Sequence, residues 1–199
     1  MLHSNFSSYE LEAGTDEVGR GCLAGPVVAA AVILPKAYHN EELNDSKKIN
    51  ANKRERLAML IKEEALAWSI AEVDNNEVDK INVLNASFLA MTRAIKTLKM
   101  MPEFLLVDGN RFKSELRIPF ECIIKGDSKY LSIAAASILA KTHRDALMKT
   151  YHEKYPFFAW DKNKGYPTKA HREGIRKHGA SHLHRKSFQL LPTQLEIDF

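Results

Sequence analysis

Short apolar runs alternate with amphipathic stretches along this chain, and that alternation leaves few folds open to it. Residues 11–15 lead into Asp16-Glu17-Val18-Gly19-Arg20-Gly21, and residues 27–34 form a β-branched and apolar run closed by Pro35. The two predict strands joined by a glycine-rich turn. Residues 50–67, with Leu57, Leu60 and Ile61 at helical spacing, predict a helix, and residues 68–73 alternate as a strand does. Val78, Ile81, Leu84, Phe88, Met91, Ile95 and Leu98 then recur every three or four residues, the stripe of one long amphipathic helix. Residues 104–107 and 118–124 predict two buried strands, the first ended by Asp108-Gly109 and the second by Lys125-Gly126-Asp127. Residues 130–155 predict an Ala-rich helix, apolar all round in its first half and charged in its second, so it starts inside the body and runs outward. Strands interleaved with helices in this way predict an α/β layer structure around a mixed central sheet.

The chain has 199 residues, 45% hydrophobic and 27% charged, which excludes disordered and fibrous classes and fits one domain or one domain with an appendage. The longest stretch without a charge, residues 21–35, is too short to span a bilayer and is broken by Gly25-Pro26. Residues 1–5 lack the basic and apolar regions of a signal peptide, and the only cysteines, Cys22 and Cys122, make no disulfide framework. A reducing, cytoplasmic setting is expected. The net charge of +4 is unevenly spread: residues 141–186 carry 12 Lys+Arg against 4 Asp+Glu, and the remainder 17 against 21. A basic quarter is thus attached to a mildly acidic body, which fits either a solvated helix face or a surface for a polyanion.

Asp16, Glu17, Asp108 and Asp127 stand where apolar strands give way to glycine or to a helix. Each has a bland explanation alone, Asp127 as a helix cap and Asp108-Gly109 as a turn. Three strand ends each presenting an acid is the pattern expected of a divalent-cation site, because Mg²⁺ takes hard oxygen ligands. Adjacent strand residues point to opposite faces, so Asp16 and Glu17 are expected to share one site only if the backbone leaves a regular strand, with Gly19 and Gly21 supplying the freedom.

These motifs, together with Leu23-Ala24-Gly25-Pro26-Val27, Asp45-Ser46-Lys47-Lys48, Lys141 with Arg144-Asp145, Gly165-Tyr166-Pro167-Thr168 and His184-Arg185-Lys186-Ser187-Phe188, resemble bacterial ribonuclease HII from about residue 10 to residue 190. The resemblance implies a ribonuclease H-like α/β fold, a mixed central sheet flanked by helices, with a small helical C-terminal domain. Its expected parts are a catalytic domain over 1–145, a basic substrate-binding region over 146–192 and a tail over 193–199. It implies an endoribonuclease that cuts the RNA strand of RNA–DNA hybrids and nicks 5′ of single ribonucleotides in duplex DNA by two-metal-ion catalysis, leaving 5′-phosphate and 3′-hydroxyl ends. Asp16, Glu17, Asp108 and Asp127 would be the catalytic, metal-binding carboxylates for Mg²⁺ or Mn²⁺. Gly19, Arg20 and Gly21 would recognise the ribose 2′-hydroxyl, Tyr166 would pack on the following sugar, and Lys47 would contact phosphate. Lys141, Arg144 and Arg185 are candidate phosphate contacts or carboxylate partners. The four histidines from His171 to His184 have no cysteine nearby and no zinc-site spacing, and are expected at the surface or on phosphate.

Ribonuclease HIII is the nearest rival within the broader family, but it has lysine at the position of Arg20 and an extra domain before the acids. A DNA nuclease on the same scaffold would have no use for a 2′-hydroxyl sensor, and a hybrid-binding module would not need the buried acids. The final residues, with Gln194, Ile197 and Phe199, resemble the short peptides that dock into the bacterial replicative sliding clamp. A monomer acting on nucleic acid, with the clamp as a second partner and no membrane association, is the expectation.

Overall fold

The computed structural model describes residues 2–43 and 49–192. Five strands form one mixed sheet in the order β3-β2-β1-β4-β5, with β1 over Glu12–Val18, β2 over Val27–Ile33, β3 over Ala67–Val73, β4 over Phe104–Asp108 and β5 over Phe120–Ile123. β1 lies at its centre, antiparallel to β2 and parallel to β4. Side chains alternate across β2. Val28, Ala30 and Val32 pack beneath α1 (Ala51–Glu64) and the first half of α4 (Leu131–Lys154), whereas Val27, Ala29, Ala31 and Ile33 pack beneath α3 (Val83–Lys96). All seven residues of β2 are buried because helices cover the sheet on both sides.

The stripe from Val78 to Leu98 is divided between two helices, α2 over Asn75–Ile81 and α3, rather than one. Asn82 breaks it at a φ of 65°, and its side chain accepts from the amides of Leu84 and Asn85, both at 3.1 Å. Asparagine tolerates positive φ and makes a good cap, so a continuous apolar pattern is bent without being interrupted. Asp74 and Glu77 form a reciprocal capping box at the start of α2. β5 also departs from expectation. It covers four residues at the sheet edge, and Phe120 and Glu121 are exposed where a buried strand was predicted.

Gly14 sets how α4 meets the sheet. A Cβ at this position would collide with the main chain of Ser132 and Ile133, so the glycine lets the start of α4 rest directly on β1. The first ten residues of α4 are buried, and the helix then emerges from the body as its composition predicts. Its outer half supports a further small core of Leu23, Ala24, Met148, Phe158, Trp160 and Ile175, which gathers α5 (Trp160–Asn163) and α6 (Lys169–His178). Among the described residues, no helix is long and apolar enough to cross a membrane.

Candidate active site

The acids gather where β1 and β4 end. β1 remains a regular strand through Val18, with Asp16 opposite Ala30 and Glu17 opposite Ala29. The two side chains therefore do lie on opposite faces, and the expected departure from strand geometry is absent. Asp16 follows Gly14 toward α4, where the hydroxyl of Ser137 bonds its carboxylate. Glu17 lines a cleft on the α3 side with Arg20, Leu84, Ser87, Phe88, Met91 and Asp108. The site thus straddles the end of the sheet.

Asp108 closes β4, and its Oδ1 accepts from the amide of Gly126 at 2.7 Å. This bond draws the turn that carries Asp127 toward β4. Asp127 is 7% exposed in a 3₁₀ turn over Gly126–Ser128, and the N-cap of α4 is Tyr130. Burial pushes the Asp16 carboxyl well above the usual range, and Glu17, Asp108 and Asp127 push it further, against the opposing bond from Ser137. Burial also raises Glu17, Arg20 opposes this, and Asp108 adds to it. Acids from three chain segments therefore share one electrostatic site.

The donors are all hard oxygens, as Mg²⁺ or Mn²⁺ requires. Three of the four acids are also engaged by a neighbour: Asp16 by Ser137, Glu17 by Arg20 at 3.3 Å and Asp108 by Gly126. Among the described residues, no three His, Cys, Asp or Glu side chains are gathered tightly enough to hold one ion as they stand. Mutual repulsion of roughly 3 kcal/mol per pair at 5 Å and an effective dielectric near 20 favours that separation. The donor set fits a divalent cation by chemistry and by excess negative charge.

Beside the acids, Gly19 has a φ of 98°, and a Cβ there would meet Arg144 and the Pro26 carbonyl. Gly21 differs: a Cβ would have only Tyr166 Cε1 nearby, at 3.9 Å, so the Tyr166 ring lies alongside this loop. Tyr166 is 38% exposed and sits on a turn shaped by Lys164 and Gly165, both at positive φ, with the Gly165 amide bonded to Asn163 Oδ1 at 2.8 Å. Lys47, Gln194, Ile197 and Phe199 lie outside the described residues.

Two expectations for the basic region are corrected, and Lys141 takes one of the two roles expected of it, as a carboxylate partner. Arg144 and Arg185 are fully buried and donate to main-chain carbonyls, so neither is a phosphate contact or a carboxylate partner. Lys141 pairs with Asp145 at 2.5 Å, which Arg54 of α1 also engages at 2.9 Å. His171 and His184 are interior rather than surface residues. The indole of Trp160 donates to His171 Nε2 at 2.9 Å, and His171 Nδ1 lies 2.9 Å from the Tyr166 carbonyl. His184 Nε2 lies 3.1 Å from His171 Nε2, while its Nδ1 accepts from the Ser181 amide at 2.9 Å. Two neutral rings fit these contacts, with the proton on Nδ1 of His171 and on Nε2 of His184, and the one Nε2 lone pair of His171 is then shared between Trp160 and His184. Burial pushes both histidines down, His184 to about 4 with a further contribution from His171.

The sequence reading did not single out Gly14 or Ser137. Ser137 had a faint signal, a hydroxyl in the most apolar stretch of α4, and Gly14 had none beyond being a glycine in a strand.

Residues 13–191 match the family model described as ribonuclease HII. A ribonuclease HII from Christiangramia forsetii is 60% identical over 187 residues, covering 94% of each chain. Among solved structures, the ribonuclease H2 from Pyrococcus horikoshii OT3 superposes with a TM-score of 0.76 at 23% identity, covering 90% of this chain and 94% of its own. The ribonuclease HII in the PCNA:RNase HII complex from Archaeoglobus fulgidus gives 0.72 at 24%, covering 93% and 98%. These two share the fold: a mixed sheet flanked by helices.

Proposed function

The chain belongs to the ribonuclease HII family, and hydrolysis of the RNA strand of hybrids and removal of ribonucleotides from duplex DNA is its activity; we propose that Asp16, Glu17, Asp108 and Asp127 carry it. The observation that supports this most is the convergence of Asp16, Glu17, Asp108 and Asp127 from β1, β4 and the turn before α4, near enough for the other three to raise the Asp16 carboxyl. Such an arrangement is costly for a fold unless it serves to hold cations. The family is divalent-metal dependent, and Mg²⁺ or Mn²⁺ is the ion proposed here. Bound as a pair, such ions stabilise charge on the attacking and leaving oxygens of an in-line displacement.

The residues of this chain divide the remaining work. Asp16 and Asp108 hold oxygens at the adjacent ends of β1 and β4, Asp127 adds one from the α4 side, and Glu17 adds one from the α3 side. Arg20, half exposed, steadies Glu17 and is available to the scissile strand. The backbone of Gly19, Arg20 and Gly21 reads the 2′-hydroxyl, the group that marks a ribonucleotide in DNA. Tyr166, beside Gly21, packs on the next sugar, and Lys47 contacts phosphate. Residues 1–145 form the catalytic domain, 146–192 the substrate-binding region, and 193–199 a tail for the sliding clamp through Gln194, Ile197 and Phe199. The PCNA complex of the Archaeoglobus protein supports a clamp partner in kind. The enzyme works as a monomer in the cytoplasm.

The test is a DNA duplex with one embedded ribonucleotide, incubated with Mg²⁺ or Mn²⁺. Wild type is expected to nick it 5′ of the ribonucleotide, and Asp108→Asn to lose at least about 100-fold in rate. Equal nicking by the variant would overturn the assignment of the acids. Comparable nicking of the all-DNA control would point to a DNA nuclease instead.

A further inference from the structure

Arg144 and Arg185 are both completely buried, yet among the described residues neither stands at salt-bridge distance from a carboxylate. Burying a guanidinium is expensive unless its donors are used. Here they are used on the main chain. Arg144 donates to the carbonyls of Pro26 at 2.9 Å, Ala24 at 3.0 Å and Lys164 at 2.7 Å. Arg185 donates to Gly25 through Nε at 3.1 Å and Nη2 at 2.9 Å, and to Arg20 through Nη1 at 2.8 Å. Four carbonyls of the segment from Arg20 to Pro26 are thereby held by two side chains, one from α4 and one from beyond α6.

The bond from Arg185 to Arg20 has a direct geometrical result. In a trans peptide the carbonyl and the following N–H point in opposite directions. Because the Arg20 carbonyl is turned inward onto a buried guanidinium, the Gly21 N–H is turned away from it. Gly21 is exposed, and its N–H has no partner among the described residues. The same framework fixes the neighbouring Tyr166 turn: the Leu23 amide donates to Gly165 at 2.8 Å, the Gly25 amide to Leu183 at 2.9 Å, and the Arg185 amide to Leu23 at 2.8 Å. Arg144 spans both pieces, since Lys164 precedes Gly165.

We propose that Arg144 and Arg185 are positioning residues for ribonucleotide discrimination: a carbonyl clamp that sets the Arg20–Gly21 peptide with its N–H outward and holds it in register with Tyr166. The proposal rests on the reading of Gly19, Arg20 and Gly21 as the 2′-hydroxyl sensor. Lysine in place of either arginine keeps the charge but lacks the planar fork that reaches several carbonyls at once.

The experiment compares equilibrium binding of two duplexes, one with a single embedded ribonucleotide and its all-DNA counterpart, by fluorescence anisotropy in Ca²⁺ to suppress turnover. Wild type, Arg185→Lys, Arg144→Lys and Gly21→Ala are measured at one salt concentration. Arg185→Lys is expected to lower the ribo-to-deoxy affinity ratio at least tenfold toward unity while changing all-DNA binding less than twofold. Arg144→Lys is expected to act in the same direction. A variant that merely loosened the fold would weaken both duplexes alike, and that outcome, or a ratio within twofold of wild type, overturns the proposal. Gly21→Ala separates the proposal from the reading beneath it, because a Cβ there meets nothing in the protein closer than 3.9 Å. Loss of discrimination in Gly21→Ala but not in the arginine variants overturns the clamp and leaves the sensor standing; retention in Gly21→Ala overturns the sensor. Should the arginine variants fail to fold, amide relaxation of free wild type decides: residues 20–25 are expected to be as rigid as β2, and loop motion that is quenched only by the ribonucleotide duplex overturns a preset clamp.

Discussion

The two halves of the site are built on opposite principles. At the ends of β1 and β4, like charges crowd together, and burial raises the carboxyls of Asp16 and Glu17. A few residues away, around Gly19–Pro26, cations are buried without counter-ions among the described residues, but every nitrogen of both guanidinium groups donates to a main-chain carbonyl. The first region is electrostatically frustrated and gains from a ligand; the second is over-determined and needs none. The contrast teaches that chemistry and recognition place different demands on a fold. On the proposed roles, groups that hold a cation are kept in excess of negative charge, whereas a loop that measures a hydroxyl is fixed beforehand.

The largest expected break in this contrast comes from Asp108→Asn. Removing one repelling charge while keeping an oxygen for the Gly126 amide should raise metal-free stability by about 1 kcal/mol, roughly 3 °C in melting temperature, even as nicking is lost. Calorimetry beside a nicking assay checks this, and a melting temperature that falls would show that the acids do not strain the fold. On the over-determined side, Gly19→Ala should behave in the reverse way. With φ at 98° and Arg144 and the Pro26 carbonyl in the way, it is expected to cost about 3 kcal/mol or more in urea unfolding. Gly21→Ala should leave stability within about 0.5 kcal/mol.

The next effect concerns pH. The neutral pair His171 and His184 supports the Tyr166 turn, and an unfolded histidine titrates near 6.5. Since the fold keeps His184 neutral down to about 4, the unfolded chain binds more protons below pH 6.5. Stability is therefore full above that value and falls as pH drops from 6.5 toward 4, by up to about 3 kcal/mol. Urea unfolding at pH 7.5 and 5 measures the slope, and His184→Gln is expected to flatten it. The smallest effect is in salt dependence. Lys169 and Lys186 are exposed in the basic region, and each one that neutralises a phosphate contributes about 0.9 to the log–log slope of binding against salt. Replacing either by alanine should lower the slope by that amount, as titrations between 50 and 200 mM salt (roughly the range in which such slopes are read) would show.

Much of the fold was legible because it depends on local pattern. The run after Pro26 had to be a covered strand, and α4 emerges from the body where its charges begin. The break at Asn82 was hidden because the apolar stripe on either side keeps the same face, and β5 was overcalled because Phe120 and Ile123 look buried in a string of letters. For the site, the four acids and Tyr166 were marked by sequence context. Arg144, Arg185, His171 and His184 were misjudged for a common reason. Their roles are set by partners more than a hundred residues away or by burial within a small separate core, and a cationic residue in a basic stretch gives no sign that it faces inward.

The carbonyl clamp also bears on how the protein is made. Arg185 reaches back to Arg20 and Gly25, and the segment just before it pairs with Ala24. A nascent chain on the ribosome holds all four acids well over fifty residues before it holds the arginine that sets the glycine loop. The acids are therefore all synthesised before the arginine proposed to restrain the glycine loop, so any selectivity that depends on Arg185 is the last property the growing chain can acquire.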